Sequence, residues 1–180
     1  MYYVKGFILI FSILALLGCQ DFTDDLNPSS NDERPSVTEG SIGSQPGQKT
    51  ENFTVSDSKG NSVSLNDELA SVDAVVLYFT MWCPTCDSHM DHIRSHLVDD
   101  FPNVRFLIVD YVTGSVSNAR ASQLASGYAS FTVLSDADLN LFNTYRGSMG
   151  STVIINQAGT VLLNEDYKNG EKIRETLSSL

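Results

Sequence analysis

Positive charge is scarce in this sequence: 11 Lys and Arg stand against 22 Asp and Glu, giving a formal net charge of -11 over 180 residues. Proteins that bind nucleic acid draw on clustered Lys and Arg that release counterions from phosphates, so the balance argues against that class. The acidity serves solubility. Cysteine is scarce too, with three residues, and a chain of this length can bury an adequate core without disulfide staples. The cysteines therefore invite a chemical reading. The apolar run from Phe7 to Leu17, preceded by Lys5, is too short to cross a bilayer comfortably as a helix and fits the hydrophobic part of an export signal.

That run ends in Leu16-Leu17-Gly18-Cys19, which resembles the lipobox of bacterial lipoproteins. The resemblance implies cleavage before Cys19 and a diacylglycerol on its sulfur. Residues 1–18 are then a signal peptide, and Cys19 is an anchor rather than a redox group. Gly18, small and directly before the only cysteine of the region, disfavours an uncleaved signal anchor. The expected location is an exported lipoprotein held on a membrane and facing the periplasm or extracytoplasmic space. Several buried acyl chains would hold it firmly, since each buried methylene contributes roughly 0.8 kcal/mol.

From Gln20 to about Thr50 the chain is rich in Asp, Ser, Asn, Gly, Pro and Gln, with apolar residues only at Phe22, Leu26, Val37 and Ile42. Such a segment buries too little surface to offset its ordering entropy. Residues 19–50 are therefore expected to be a lipidated cysteine and a flexible tether, with the folded domain spanning 51–180.

Within that domain, Phe53-Thr54-Val55 and Val63-Ser64-Leu65 flank a turn-rich stretch and predict a hairpin. Ala74 to Phe79 is continuously apolar, and Val104 to Val109 gives a second such run interrupted by Arg105, the pattern of strands buried on both faces of an α/β sheet. Between them Met90, Ile93, Leu97 and Phe101 recur at helical spacing, predicting a helix over 84–100. Strand, helix, strand implies a parallel pair with a right-handed crossover. Further elements are expected at 117–126 (helix), 131–134 (strand), 139–145 (helix), 152–155 and 160–163 (hairpin), and 171–180 (helix).

Trp82-Cys83-Pro84-Thr85-Cys86 falls at the junction of the first buried strand and the helix. Two cysteines three apart at a helix N-terminus can close a small disulfide, and the free backbone amides there stabilise a thiolate on the first. Cys83 is the expected nucleophile, and Cys86, one turn in, would resolve the mixed disulfide. Pro84 suits the first turn, where a missing N–H costs nothing. A zinc site would need two more Cys or His ligands, and no other cysteine remains once Cys19 is lipidated. A structural disulfide closing so small a loop would constrain the unfolded chain little.

Together these features resemble the thioredoxin superfamily, specifically the TlpA- and ResA-like envelope reductases and the related cytochrome c maturation (DsbE/CcmG-type) thioredoxins. The matching residues are the 53–65 hairpin, Val75 to Phe79 leading into Trp82–Cys86, Asp110 after the next strand, and Ile155-Asn156-Gln157-Ala158-Gly159. The resemblance implies a thioredoxin-like α/β fold, a central mixed sheet flanked by helices with an N-terminal hairpin extension. It also implies a thiol–disulfide oxidoreductase acting on a protein disulfide or dithiol substrate. The redox group is the Cys83–Cys86 disulfide and no organic cofactor or metal is implied. Electrons would come from a protein partner such as a membrane thiol carrier.

Two positions depart from the family. Counting back from Ile155-Asn156 places Gly150 where thioredoxin-like proteins carry a cis-proline, and a cis bond before glycine would cost about 2.5–4 kcal/mol, so a trans bond is expected. Leu77 stands where thioredoxins carry a buried acid. His89, one turn beyond Cys86, is the candidate for the missing proton exchange, with an ordinary pKa near 6.5. His92 and His96 continue its stripe and are expected on an exposed polar face. Trp82 would shape the surface around the nucleophile.

Two other functions compete. Phe79 to Thr85 also resembles the peroxidatic segment of peroxiredoxins, with Thr80 three residues before the cysteine and Arg146 the nearest candidate for the thiolate-stabilising Arg, although Val76 replaces that motif's proline. A non-enzymatic metal or apocytochrome carrier would draw on Gly150 and the histidine stripe.

Overall fold

The computed structural model describes residues 37–180, so Cys19, the apolar run before it and most of the expected tether lie outside the described residues. The residues expected to form buried strands are strands, buried throughout from Ala74 to Thr80 and from Phe106 onward in the second run, where Val104 is half-buried and Arg105 is exposed. β3 (Ala74–Thr80), every residue buried, pairs in parallel with β4 (Val104–Asp110), and β4 pairs in parallel with β5 (Thr132–Ser135). On its other side β3 pairs antiparallel with β6 (Ser151–Asn156), which turns through 157–160 into β7 (Val161–Asp166). The sheet order is β5-β4-β3-β6-β7. β1 (Thr54–Ser56) and β2 (Ser62–Ser64) form the expected separate hairpin.

Alternate residues of β3 face opposite sides. Val76 and Tyr78 join one core with Met90, Ile93 and Leu97 of α2 (Pro84–His96) and Ile173 and Leu177 of α5 (Glu171–Ser178). Val75, Leu77 and Phe79 join a second core with Leu65 and Leu69 of α1 (Leu65–Leu69) and Leu141 and Tyr145 of α4 (Asn140–Tyr145). Each fully buried aliphatic or Phe side chain contributes roughly 1.5–3 kcal/mol, which is why the least polar strand takes the centre. α3 (Val116–Ala125) packs beside β5. There Gln123 donates to the Tyr128 and Phe131 carbonyls and accepts from Ser58, tying the hairpin turn to the sheet.

The structure corrects several expectations. Leu65 begins a helix instead of closing a strand, because Asn52 Oδ1 accepts the Asn66 N–H at 2.9 Å and turns the chain. α2 stops at His96, short of residue 100, with Leu97 as its cap. The folded part begins before residue 50, inside the span expected to be a tether. Gly47 N–H donates to Val161 O, Val161 N–H to Gln48 O and Thr50 N–H to Gly159 O. Asn164 Nδ2 donates to Ser44 O at 2.9 Å. Residues 41–50 are therefore held to β7 through their backbone, for which their polar composition gives no signal.

Candidate active site

Cys83 is the N-cap of α2, and its sulfur accepts the Cys86 N–H at 3.2 Å. Pro84 and Thr85 fill the exposed first turn. The Cys83 and Cys86 sulfurs are 2.8 Å apart and both are free thiols. Cys83 is half-buried, whereas Cys86 has 0% exposure. Burial would by itself raise the Cys86 pKa. The hydrogen bond from Cys83, the backbone N–H groups of Met81 and Cys83 and the Thr80 hydroxyl outweigh burial and hold it below the ordinary thiol value. The Cys86 sulfur so stabilised touches Cys83 Sγ, the half-buried member of the pair.

The turn that delivers the pair is strained. Trp82 has φ 59°, a left-handed conformation that costs an L-residue roughly 1–2 kcal/mol. Its N–H donates to Thr80 Oγ1 at 3.1 Å, which stabilises that turn. Its half-buried ring packs on the α2 side of the core and its indole N–H has no partner. From the other side of α2, Tyr128 Oη donates to Asp87 Oδ1 at 2.6 Å and pins the helix's first turn.

Opposite the cysteines, the start of β6 is joined to the end of β3. Gly150 N–H donates to Phe79 O at 3.0 Å, and its φ of +86° is one that proline cannot adopt. No peptide bond among the described residues is cis, as expected for Met149-Gly150. The Met149 thioether lies 3.3 Å from the Cys83 sulfur.

His89 is half-buried and its Nδ1 is 3.0 Å from Tyr78 Oη. Its ring lies 4.4 Å from that of Tyr167, centre to centre. Burial, then the neighbouring charge of His92, lowers its pKa from 6.5. His92 is not on an exposed face: it is half-buried, with Nδ1 2.5 Å from Tyr167 Oη, because Tyr167 folds back from the end of β7 over α2. His96 is exposed as expected and stacks on His92. Asp110 is buried, but its carboxylate accepts from Val112 N–H, Thr113 N–H and Thr113 Oγ1 and so serves the turn after β4. Tyr78, Met149 and Tyr167 were missed in the sequence. The signals available were a lone hydroxyl inside the apolar run of β3 and the place of Met149 directly before Gly150.

A parallel-and-antiparallel sheet with a Cys-x-x-Cys at the junction of its central strand and the next helix defines a thioredoxin-like protein. Residues 46–163 match the AhpC/TSA family, and the chain belongs to that family. No curated protein matches the sequence. Among solved structures the chain is similar to a thioredoxin-like protein from Aeropyrum pernix, with 18% identity over 72% of this chain and 89% of that one and a TM-score of 0.59. It is similar to peroxidoxin BcpB from Mycobacterium tuberculosis, with 21% identity over 74% and 94% and a TM-score of 0.60. A secreted disulfide oxidoreductase of Mycobacterium tuberculosis homologous to E. coli DsbE aligns at 20% identity over 71% and 96%, with a TM-score of 0.54. These likenesses establish the thioredoxin-like fold; the family membership adds thiol-based redox chemistry.

Proposed function

We propose that the protein is a thiol–disulfide oxidoreductase of the cell envelope, working by dithiol exchange through Cys83 and Cys86. The observation that carries this reading is the pair itself: two sulfurs 2.8 Å apart at the N-terminus of α2, the first reachable and the second wholly buried. The Cys83 thiolate attacks one sulfur of a substrate disulfide, and the other substrate sulfur leaves as a thiolate. Cys86 then attacks Cys83 Sγ and the first substrate sulfur leaves. Two substrate thiols and one Cys83–Cys86 disulfide result, and no organic cofactor enters. A membrane thiol carrier would return the electrons, and the lipid anchor at Cys19 would keep the domain beside it.

The peroxidase reading has less support. The Thr80 hydroxyl is buried and occupied by Trp82 N–H, and Arg146 is exposed at the end of α4 with no hydrogen bond to either cysteine. The carrier reading drew on Gly150 and the histidine stripe, and in that stripe His89 and His92 direct Nδ1 to Tyr78 and Tyr167.

The deciding experiment incubates reduced Cys86→Ser and Cys83→Ser variants with a disulfide-bonded protein. Cys86→Ser should accumulate a mixed disulfide through Cys83, visible by non-reducing mass spectrometry, and Cys83→Ser should form none. Absence of the adduct from both variants, with no Cys83–Cys86 disulfide in the oxidised wild type, overturns the assignment. The pair's potential against glutathione then sets the direction of transfer, since this fold spans about -270 to -120 mV.

A further inference from the structure

Cys86 must give up a proton before it can attack the mixed disulfide, and must recover one when the disulfide is reduced again. It is closed to solvent. Besides Cys83, the groups that act on its sulfur are the Met81 and Cys83 backbone N–H groups, Thr80 and Tyr78 from β3, and Tyr111 from the turn after β4. Thr80 bonds to the Cys86 sulfur and accepts from Trp82 N–H, but among the described residues its hydroxyl has no further partner that leads toward solvent, and Asp110 is saturated by its own turn. Tyr78 shares the α2-side core with Cys86, and its hydroxyl continues to His89 Nδ1 at 3.0 Å. His89, half-buried, is the member of this chain that reaches solvent.

We propose that Tyr78 and His89 form the proton path of Cys86, with the Tyr78 hydroxyl passing a proton between the Cys86 sulfur and His89 Nδ1. The inference deepens the dithiol mechanism and rests on it. When Cys86 ionises, its S–H proton goes to Tyr78 Oη as the tyrosine's own proton goes to His89 Nδ1. The result is a thiolate, a neutral tyrosine and an imidazolium that releases its Nε2 proton to solvent. When Cys86 leaves as a thiolate during re-reduction, the same transfers run backward.

The surroundings suit each member to its part. Burial, and then the charge of the Cys86 and Cys83 thiolates, pushes the Tyr78 pKa far above its ordinary value, so the hydroxyl relays a proton without ionising. His89 is faced by Tyr78 from β3, by Tyr167 beyond β7, by Gly150 before β6 and by His92 on its own helix. None of these is an anion that would hold it protonated, and burial favours its neutral, accepting form. A hydroxyl and an imidazole thereby occupy the function for which Leu77 offers no carboxyl.

The test separates the two chemical steps in one reaction. Reduced protein is mixed with oxidised glutathione, quenched in acid at intervals, and analysed by mass spectrometry for glutathionylated Cys83 and for the Cys83–Cys86 disulfide. Tyr78→Phe and His89→Gln should both accumulate the glutathione adduct. The ratio of second-step to first-step rate should fall at least about tenfold, a conservative figure for a positioned proton transfer. The double variant should be no slower than the slower single one, and imidazole should restore part of the second step in His89→Ala. In the wild type the second step should slow as pH falls through the lowered His89 pKa, and His89→Gln should lack that limb. A ratio and pH profile unchanged in both single variants overturn the path while leaving the dithiol mechanism intact. A wild type that never forms the Cys83–Cys86 disulfide overturns the mechanism itself.

Discussion

The Met149 Sδ lies 3.3 Å from the Cys83 Sγ, and Met149 is 40% exposed. The thioether therefore covers part of Cys83, the half-buried sulfur on which the proposed exchange depends. Thioether side chains are flexible and polarizable, so this cover can move aside for an apolar partner. Met149→Ala should raise the rate of Cys83 alkylation by iodoacetamide several-fold, corresponding to a barrier lowered by ~1 kcal/mol. Peptide mapping of the alkylated protein measures it directly. An unchanged rate would mean that Met149 does not restrict access.

Gly150 gives a sharper prediction, because the sequence resemblance implies proline there and the local geometry forbids it. Proline would need φ near -65° in place of +86° and would remove the N–H that donates to Phe79 O. Gly150→Pro should destabilise the fold by about 3 kcal/mol or more. Gly150→Ala should cost less, ~1–2 kcal/mol, the penalty of an L-residue in the left-handed region. Its new Cβ would meet His89 at an ordinary 3.6 Å. Urea denaturation of the three proteins ranks them, and a stable proline variant would show that the loop can refold around a different φ.

β3 and α2 were legible in the sequence because burial on both faces leaves an unbroken apolar run, and a one-sided helix leaves a 3.6-residue period. The Cys83–Cys86 pair was legible for the same reason: its position relative to those two patterns carries the meaning. What could not be read depended on contacts between distant residues. Residues 41–50 attach through backbone hydrogen bonds, while Ile42 stays 64% exposed, so no apolar signal marks them. The half-burial of His92 depends on Tyr167, which lies 75 positions away. Tyr78 sits in a strand whose composition announces only burial, and its link to His89 emerges when α2 is laid over β3.

Asn164 tests the corrected boundary. Its Nδ2 donates to Ser44 O at 2.9 Å and to Tyr145 O at 3.1 Å, joining the 41–50 segment, β7 and the end of α4. Asn164→Ala leaves both carbonyls without this donor, and the expected loss is ~1–3 kcal/mol. The same variant should become sensitive to proteolysis within residues 41–50 before the rest of the domain is cut. If that segment were a free tether, the wild type would already be cut there at the variant's rate.

The two half-buried histidines make stability depend on pH in a defined window. Burial is the first cause of the lowered pKa in both. His92's charge adds to it at His89, while His96 and Arg174 add to it at His92, with Asp91 opposing. Because each folded value lies below the ordinary 6.5, the unfolded chain binds more protons than the folded one as pH drops through 6.5. Stability rises with pH wherever the unfolded state holds more protons, so it should be lost as pH falls from 6.5 toward the folded values and be flat above that window. Asp57 acts in a separate range. Burial opposes its charge, but the Asn61 side chain and the Asn61 and Lys59 N–H groups outweigh burial and hold its pKa below 3.8. Its contribution therefore persists until pH falls below that value. Melting temperatures measured on both sides of pH 6.5 should show the histidine loss in the wild type, and a His89→Gln, His92→Gln double variant should flatten it. A double variant that keeps the full wild-type slope above the carboxylate range would place the titrating groups elsewhere.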